Sequence, residues 1–251
     1  MHILERLAAH RKINLERLSE ETHIPKPTLL RFLATLVDLG YVCRDANDQY
    51  SLTLRMFSVG SKGLSHMDIA QDARPHAEEL QSRLRETVHM GVEDDDMAMY
   101  VLKIESEYTI RMYSRVGKRI PLYCTAIGKI LFADMEESKQ YRLLDLLELV
   151  PYTRSTLVDK EKLKSELQLV ARQGFSEDVE EYEEGVRCIA APVRDYTGRV
   201  IAGLSVSWPL FRFDMEQRDM YVRAITEYAQ TISSMFGYQA TAEHDPNHRP
   251  S

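Results

Sequence analysis

Two prolines set one residue apart, Pro25 and Pro27, lie between two short amphipathic runs and constrain how the first part of the chain can fold. Before them, Ile3, Leu4, Leu7 and Ala8 recur at helical spacing. After Arg11-Lys12-Ile13, Asn14 can cap a second helix with Leu15, Leu18 and Thr22 on one face and Glu16 and Glu20 outside. That helix must stop near His23-Ile24-Pro25, because proline restricts the residue before it and cannot continue the hydrogen-bond ladder. A third helix is predicted from about Pro27, tolerated at a first helical position, through Leu29, Leu30, Leu33, Leu36 and Val37 to Leu39, ended by Gly40. Leu29, Leu30 and Leu33 are expected to pack inward. Three short helices with a tight turn before the third make a helix-turn-helix.

Tyr41-Val42-Cys43-Arg44, the polar turn Asp45 to Asp48, and Gln49-Tyr50-Ser51-Leu52 then read as a hairpin, the wing of a winged-helix domain. Arg44 and Gln49 are placed where a wing can meet a phosphate backbone. Leu54, Phe57, Val59 and Leu64 continue as a helix, with a boundary near residue 66. The expected division is a winged helix-turn-helix at 1–53, a helical linker at 54–66, a second domain at 67–240 and a disordered tail at 241–251.

Charge follows this division. Residues 1–63 hold 9 Lys and Arg against 7 Asp and Glu, a net of +2, which leaves 23 against 32, or −9, for the remainder. A small module that touches phosphates on a larger acidic body fits that asymmetry. No stretch approaches the roughly 18 apolar residues of a membrane span, and MHILERLAAHRK carries charge where a signal peptide needs an apolar segment. The three cysteines, Cys43, Cys124 and Cys188, lack the number and spacing of a disulfide framework or zinc ribbon, so reduced thiols and a cytoplasmic location are expected.

Beyond residue 66 helices and strands alternate: a helix at 73–86, strands at 87–92 and 97–104 around the acidic turn Glu93 to Asp96, and an alternating stretch from Tyr108 to Arg115. In that stretch Ile110, Met112 and Ser114 share one face, Arg111, Tyr113 and Arg115 the other. Helices follow at about 126–134, 136–147 and 159–173, strands at 188–194 and 200–207, and a last helix from Met215 to Phe236. A mixed sheet flanked by helices is predicted.

Three stretches, PKPTLLRFLATLVDLGYV, MYSRVGKRIPLYCTAIGKILFA and DVEEYEEGVRCIAAPVRDYTGRVIAGLSVSWP, together resemble the IclR family of bacterial transcription regulators over nearly the whole chain. The first resembles the family's recognition helix and its exit into the wing; the others resemble its effector-binding domain. YSLTLRMF, RMYSRVGKRIPLY and EEGVRCIAAPV look most like the members that sense 2-keto-3-deoxygluconate and related sugar acids. The resemblance implies an α+β protein, a winged helix-turn-helix followed by a GAF-like mixed α/β effector-binding domain. Two departures stand out. The family usually carries ten or more residues before the first helix, which help pair N-terminal modules, so a start further upstream is expected here. Where the family commonly shows Lys-Ser-Thr, this chain has Lys26-Pro27-Thr28, which removes a hydroxyl able to cap the helix or bond a phosphate.

Such proteins lay the N-terminal half of the recognition helix in the major groove. Lys26, Pro27, Thr28 and Arg31, with Arg44 on the wing, are the expected DNA-contacting positions. Thr28 and Arg31 lie three apart on one face, and Arg31 can hold guanine or a phosphate bidentately. Pattern alone does not separate these from solvated charges on a small bundle. In the second domain Thr125 can cap a helix whose free N–H groups attract a carboxylate. Ser205 and Ser207 face one side of a strand, and Cys188 lies on another. For a small Ser or Cys on a strand, core packing is the simpler reading of pattern alone. The resemblance implies instead that the backbone around Ala126 and Ile127, with Asp178, Val186, Cys188, Ser205 and Ser207, surrounds a pocket for a small organic acid, and that Arg111 and Tyr113 approach it.

No GxSxG or phosphate loop occurs, and His66, His76 and His89 form no catalytic frame with Cys124 or Cys188, so no enzyme and no cofactor are expected. Asp178, Glu180, Glu181, Glu183 and Glu184 form a carboxylate run that reads as a solvated loop, with no metal. The expectation is a repressor of sugar-acid catabolism genes, a homodimer or homotetramer binding double-stranded operator DNA and released by an acid such as 2-keto-3-deoxygluconate, with coupling through the helix around Leu54 to Leu64. An activator of the same family, or a small-molecule enzyme whose helix-turn-helix serves protein contacts, is the alternative.

Overall fold

The computed structural model describes residues 2–64, 68–109 and 114–239, with side chains 60–64 left aside. Contacts divide the chain into two compact units, Met1–Asp68 and Ile69–Ser251. Arg111, Tyr113 and the tail from Thr241 lie outside the described residues.

In the first unit, helices α1 (His2–Ala8), α2 (Leu15–Thr22) and α3 (Lys26–Asp38) precede strands β2 (Val42–Arg44) and β3 (Gln49–Leu52) and helix α4 (Leu54–Leu64). Asn14 caps α2 by accepting the Arg17 N–H, and His23, at φ 55°, turns the chain out of it. Leu7, Leu18, Leu29, Leu33, Val42 and Tyr50 form the core with Ile13. Ile13 belongs to a short strand, β1 (Ile13–Asn14), absent from the sequence reading, which pairs with β3 and makes the wing sheet three-stranded. Leu30 departs from its expected inward position and is 42% exposed. Leu29 and Leu33, one turn apart, fill the small core, and a residue about 100° around the helix from Leu29 points away from it.

The second unit is built on a six-stranded sheet in the order β6-β5-β4-β9-β8-β7. Its strands are β4 (Thr87–Asp94), β5 (Met97–Ile104), β6 (Arg119–Pro121), β7 (Ser176–Val179), β8 (Val186–Arg194) and β9 (Val200–Pro209). Every ladder is antiparallel, which corrects the expected mixed sheet. Strands β4–β5 and β8–β9 are joined by tight turns, so antiparallel pairing follows. The short strands β6 and β7 escaped a pattern reading that needs several alternations. No described residue between Ile104 and Arg119 is in a strand, so the alternation from Tyr108 to Arg115 does not mark one where it can be followed.

Helices α5 (Ile69–Leu84), which begins before the expected residue 73 and contains Pro75, and α9 (Arg218–Met235) pack together. A 3₁₀ turn, Met215–Gln217, occupies the expected start of α9, and another, Leu210–Arg212, precedes it. Strand β9 separates the layers by alternation: Trp208 packs on Tyr221 of α9 with ring centroids 4.9 Å apart, while Gly203, Ser205 and Ser207 face the other way. On that other face lies α6 (Ala126–Ala133), backed by α8 (Lys160–Gln173), with α7 (Glu137–Leu146) between them in sequence. Its approach is very close. A Cβ at Gly91 would lie 2.9 Å, and one at Gly203 3.2 Å, from Ile127 Cγ2. Gly91 and Gly203 pair across β4 and β9, so the sheet carries a side-chain-free floor where the N-terminus of α6 rests. At Gly128 a Cβ would meet the Pro121 carbonyl at 2.5 Å, which excludes any side chain there.

Candidate functional site

The positions expected to contact DNA are local. Lys26, Pro27, Thr28 and Arg31 are all exposed on the first turns of α3, opposite buried Leu29 and Leu33. Lys26 pairs with Glu16 of α2 at 2.7 Å, and the Arg31 guanidinium lies 5.7 Å from the Phe32 ring centroid. Arg44, on β2, pairs with Asp48 across the wing turn at 2.7 Å. Pro25 caps α3 without a side-chain hydrogen bond. Pro27, lacking an N–H, occupies a position where that donor has no helical acceptor.

The second constellation forms across the sheet. Register aligns Asp178 with Cys188, Cys188 with Ser207, and Ser207 with Thr87; the next row on that face carries Ala190, Ser205 and His89. With the N-terminus of α6 above them, these strands line one concave site. Ala126, Ile127, Asp178, Val186, Cys188, Ser205 and Ser207, expected around one pocket, all line it. Thr125 caps α6, accepting the Gly128 N–H at 3.1 Å and donating to the Pro121 carbonyl at 2.6 Å. The N–H groups of Ala126 and Ile127, in the first turn, have no acceptor within the helix, and the helix dipole adds positive potential there.

Tyr100, Ser114, Lys118, Tyr182 and Glu183 also line the cavity, and His89 packs against its lining; sequence pattern points to none of them. Alternation puts Ser114 on the face opposite Arg111 and Tyr113, and it is Ser114 that lines the cavity. The His89 ring stacks on Tyr100 at 4.5 Å, bonds Ser114 Oγ at 2.7 Å through Nε2, and faces Ser207 Oγ at 3.4 Å through Nδ1. Burial, with the charges of Lys103 and Lys118, pushes its pKa down to about 3, so the imidazole is neutral. The Cys188 thiol donates to Ser207 Oγ at 3.2 Å and, like buried Cys124, is pushed upward by burial. A protonated thiol beside a neutral imidazole is not an activated nucleophile.

Asp178 accepts the Glu181 N–H at 2.8 Å, and burial raises its carboxyl to about 7. The carboxylate run is therefore not wholly solvated, as its composition had implied. Asp178 and Glu181 are buried; Glu183 and Glu184 are exposed. Glu181 turns inward because Lys129 of α6, 1% exposed, pairs with it at 2.7 Å and with Glu166 of α8 at 3.0 Å. The loop's carbonyls accept from Thr153 and Thr156, so it is fastened to the domain as the cavity wall. No cluster of metal-ligating side chains occurs among the described residues.

A winged helix-turn-helix followed by an α/β unit whose cavity is lined by hydroxyl, thiol and carboxyl groups defines a DNA-binding transcription regulator. Residues 1–46 match the IclR helix-turn-helix domain and residues 61–234 the C-terminal domain of bacterial transcriptional regulator IclR. The chain belongs to the IclR family. It is 44% identical to the HTH-type transcriptional regulator KdgR of Dickeya chrysanthemi, over 94% of this chain and 78% of that protein. It is equally 44% identical to KdgR of Escherichia coli K12, over 94% of this chain and 90% of that protein. The crystal structure of the Agobacterium tumefaciens repressor BlcR superposes with a TM-score of 0.81 at 26% identity, covering 95% of both chains. These relatives are regulators rather than enzymes, and no helix among the described residues is long and apolar enough to cross a membrane.

Proposed function

We propose that the chain is a cytoplasmic repressor of sugar-acid catabolism genes, released from its operator by a small organic acid such as 2-keto-3-deoxygluconate. The observation that carries this reading is the cavity. Seven residues from four separate elements converge on it, and their chemistry suits a hydroxylated acid. The N–H groups of Ala126 and Ile127 would take the carboxylate, the hydroxyls of Ser205 and Ser207 its oxygens, and Asp178 a ligand hydroxyl, with Val186 and Cys188 shaping the wall. The likeness to two KdgR regulators supports the ligand class.

Lys26, Thr28 and Arg31, around Pro27 at the N-terminus of α3, would read the major groove and Arg44 a phosphate, in a homodimer or homotetramer whose paired modules, each about residues 1–53, span two half-sites. Residues 67–240 would form the effector domain, and the 54–66 segment would couple the two. An effector shifts this equilibrium only by its differential affinity for the two arrangements, so operator DNA must weaken effector binding by the factor that effector weakens DNA binding. Fluorescence anisotropy of the DNA upstream of the gene, titrated at stated salt with and without 2-keto-3-deoxygluconate, tests the scheme. Tight, salt-sensitive binding released by the acid is expected; binding that the acid leaves untouched refutes this effector, and no binding refutes the DNA reading. Ser207→Leu should abolish release and keep DNA binding, and persistence of release would move the ligand out of this cavity.

A further inference from the structure

The two edges of the six-stranded sheet meet over the cavity. Strands β6 and β7 are the edge strands, four strands apart, and nothing in the ladders joins them. Yet Lys118, the residue before β6, carries its ammonium to 5.3 Å from the ring centroid of Tyr182, in the loop after β7. Tyr182 is braced edge-on against Tyr152, with centroids 5.0 Å apart, and the backbone of Lys118 is held by the Tyr100 N–H at 3.1 Å. Among the described residues, Lys118 is the one basic side chain lining the cavity, and it makes no ion pair. An ammonium over an aromatic face keeps its remaining N–H donors directed elsewhere. Glu183, on the exposed rim beside it, is an acceptor.

The cavity therefore has two chemically distinct regions. One is lined by the α6 N-terminus and the hydroxyls of β9, the other by Lys118, Tyr182 and Glu183. We propose that Lys118, laid across the mouth onto Tyr182, is the residue that selects polyhydroxylated keto acids over short keto acids, by donating to ligand hydroxyls while Glu183 accepts from them. This deepens the effector reading above and rests on it. A short keto acid seated at the α6 N-terminus leaves the mouth groups without a ligand partner, whereas a longer hydroxylated chain engages them.

The test is isothermal titration calorimetry of the full chain with 2-keto-3-deoxygluconate and with pyruvate, for the wild type, Lys118→Met, Lys118→Arg and Tyr182→Leu. The wild type should prefer the hydroxylated acid. Lys118→Met should weaken that acid by about tenfold or more, the worth of a hydrogen bond from a charged donor, and leave pyruvate within about twofold. Lys118→Arg should retain most of the preference and Tyr182→Leu should lose part of it, a pattern that a general loss of fold cannot produce. Equal weakening of both acids in Lys118→Met overturns the proposal by placing Lys118 at the acid head, and unchanged affinities overturn it as well. A wild type that binds pyruvate but not the hydroxylated acid overturns the selectivity and leaves the cavity reading standing; one that binds neither removes both.

Discussion

On α3, Lys26, Thr28 and Arg31 stand in solvent on consecutive turns of one helix, whereas around the cavity Asp178, Ser205 and Ser207 are 4%, 3% and 2% exposed and come from two strands, β7 and β9, with β8 between them. Among the described residues the first unit has a core of seven buried apolar side chains, and Lys26, Thr28 and Arg31 lie outside that core. In the second unit the cavity is cut into the sheet and helix packing itself. Ile127, which lines it, rests on the Gly91–Gly203 pair, and its wall is fastened through the buried Lys129. Changes on α3 should therefore alter binding with little effect on stability. Changes around the cavity should alter both, because buried polar groups are stable only with their partners in place.

The sharpest test of that contrast is Lys129→Met. It strands Glu181 and Glu166 beside an apolar side chain, and Glu181 Oε2 already has no hydrogen-bond partner. Breaking a buried pair from one side costs about 3–5 kcal/mol. Calorimetry should show the second unit melting earlier with effector affinity reduced, because Asp178 and Tyr182 lie on the segment that Glu181 anchors. Unchanged melting would mean the triad is not structural. The exposed Lys26–Glu16 pair in the first unit is the control, and its removal should leave the melting of that unit nearly unchanged.

Asp178 offers the next largest effect, and its sign follows from burial. Its carboxyl titrates near 3.8 when free and at about 7 in the folded protein. The folded state thus binds its proton more tightly, and the stability contributed by that proton, present below pH 4, is lost as pH rises through 7. Asp178→Asn keeps an acceptor for the Glu181 N–H and removes the titration. Relative to wild type it should gain stability between pH 4.5 and 8, by roughly 2–4 kcal/mol at the upper end. Urea midpoints at the two pH values measure this, and a difference that does not grow with pH would show that Asp178 is solvated. Nothing on α3 should produce a comparable slope.

The contrast also accounts for what could be read in the sequence. The first unit is a run of local signals: Asn14 as a cap, Pro25 as a stop, Leu29 and Leu33 as an inward stripe. It was legible apart from the short strand β1 and the outward Leu30. The cavity residues were reached through family likeness, because their meeting depends on register. Cys188 faces Ser207, and Ser205 faces His89, through ladders between segments that neither composition nor periodicity pairs. His89 and Tyr100 lay in strands correctly placed, yet only the ladder stacks their rings. Lys118 and Tyr182 could not be joined at all without the curvature that brings the sheet edges together. The acidic run misled for the same reason, since its buried members are chosen by Lys129, about fifty residues earlier.

Arg31→Ala sharpens the exposed side of the comparison. If Arg31 bonds a base bidentately, operator affinity falls by about 1–3 kcal/mol and discrimination at that base pair relaxes, while the melting of the first unit is unchanged. Competition with operators substituted one base pair at a time reads both effects. Loss of affinity without loss of discrimination would assign Arg31 to a phosphate, and no loss would move the reading surface along α3.

Arg44→Ala should have the smallest effect and the most different form. In the free protein its guanidinium is already paired with Asp48, an exposed contact whose removal costs at most about 0.5 kcal/mol of stability. On DNA that pair would exchange Asp48 for a phosphate oxygen, so the gain is only the difference between two solvent-exposed partners. Affinity should fall about equally for every operator sequence, and the slope of log affinity against log salt should become shallower by about one. Asp48→Ala, which frees the arginine, should change affinity in the opposite direction. A sequence-dependent loss in Arg44→Ala would instead carry the wing into a groove, and the base-reading surface would then extend from α3 to the β2–β3 hairpin.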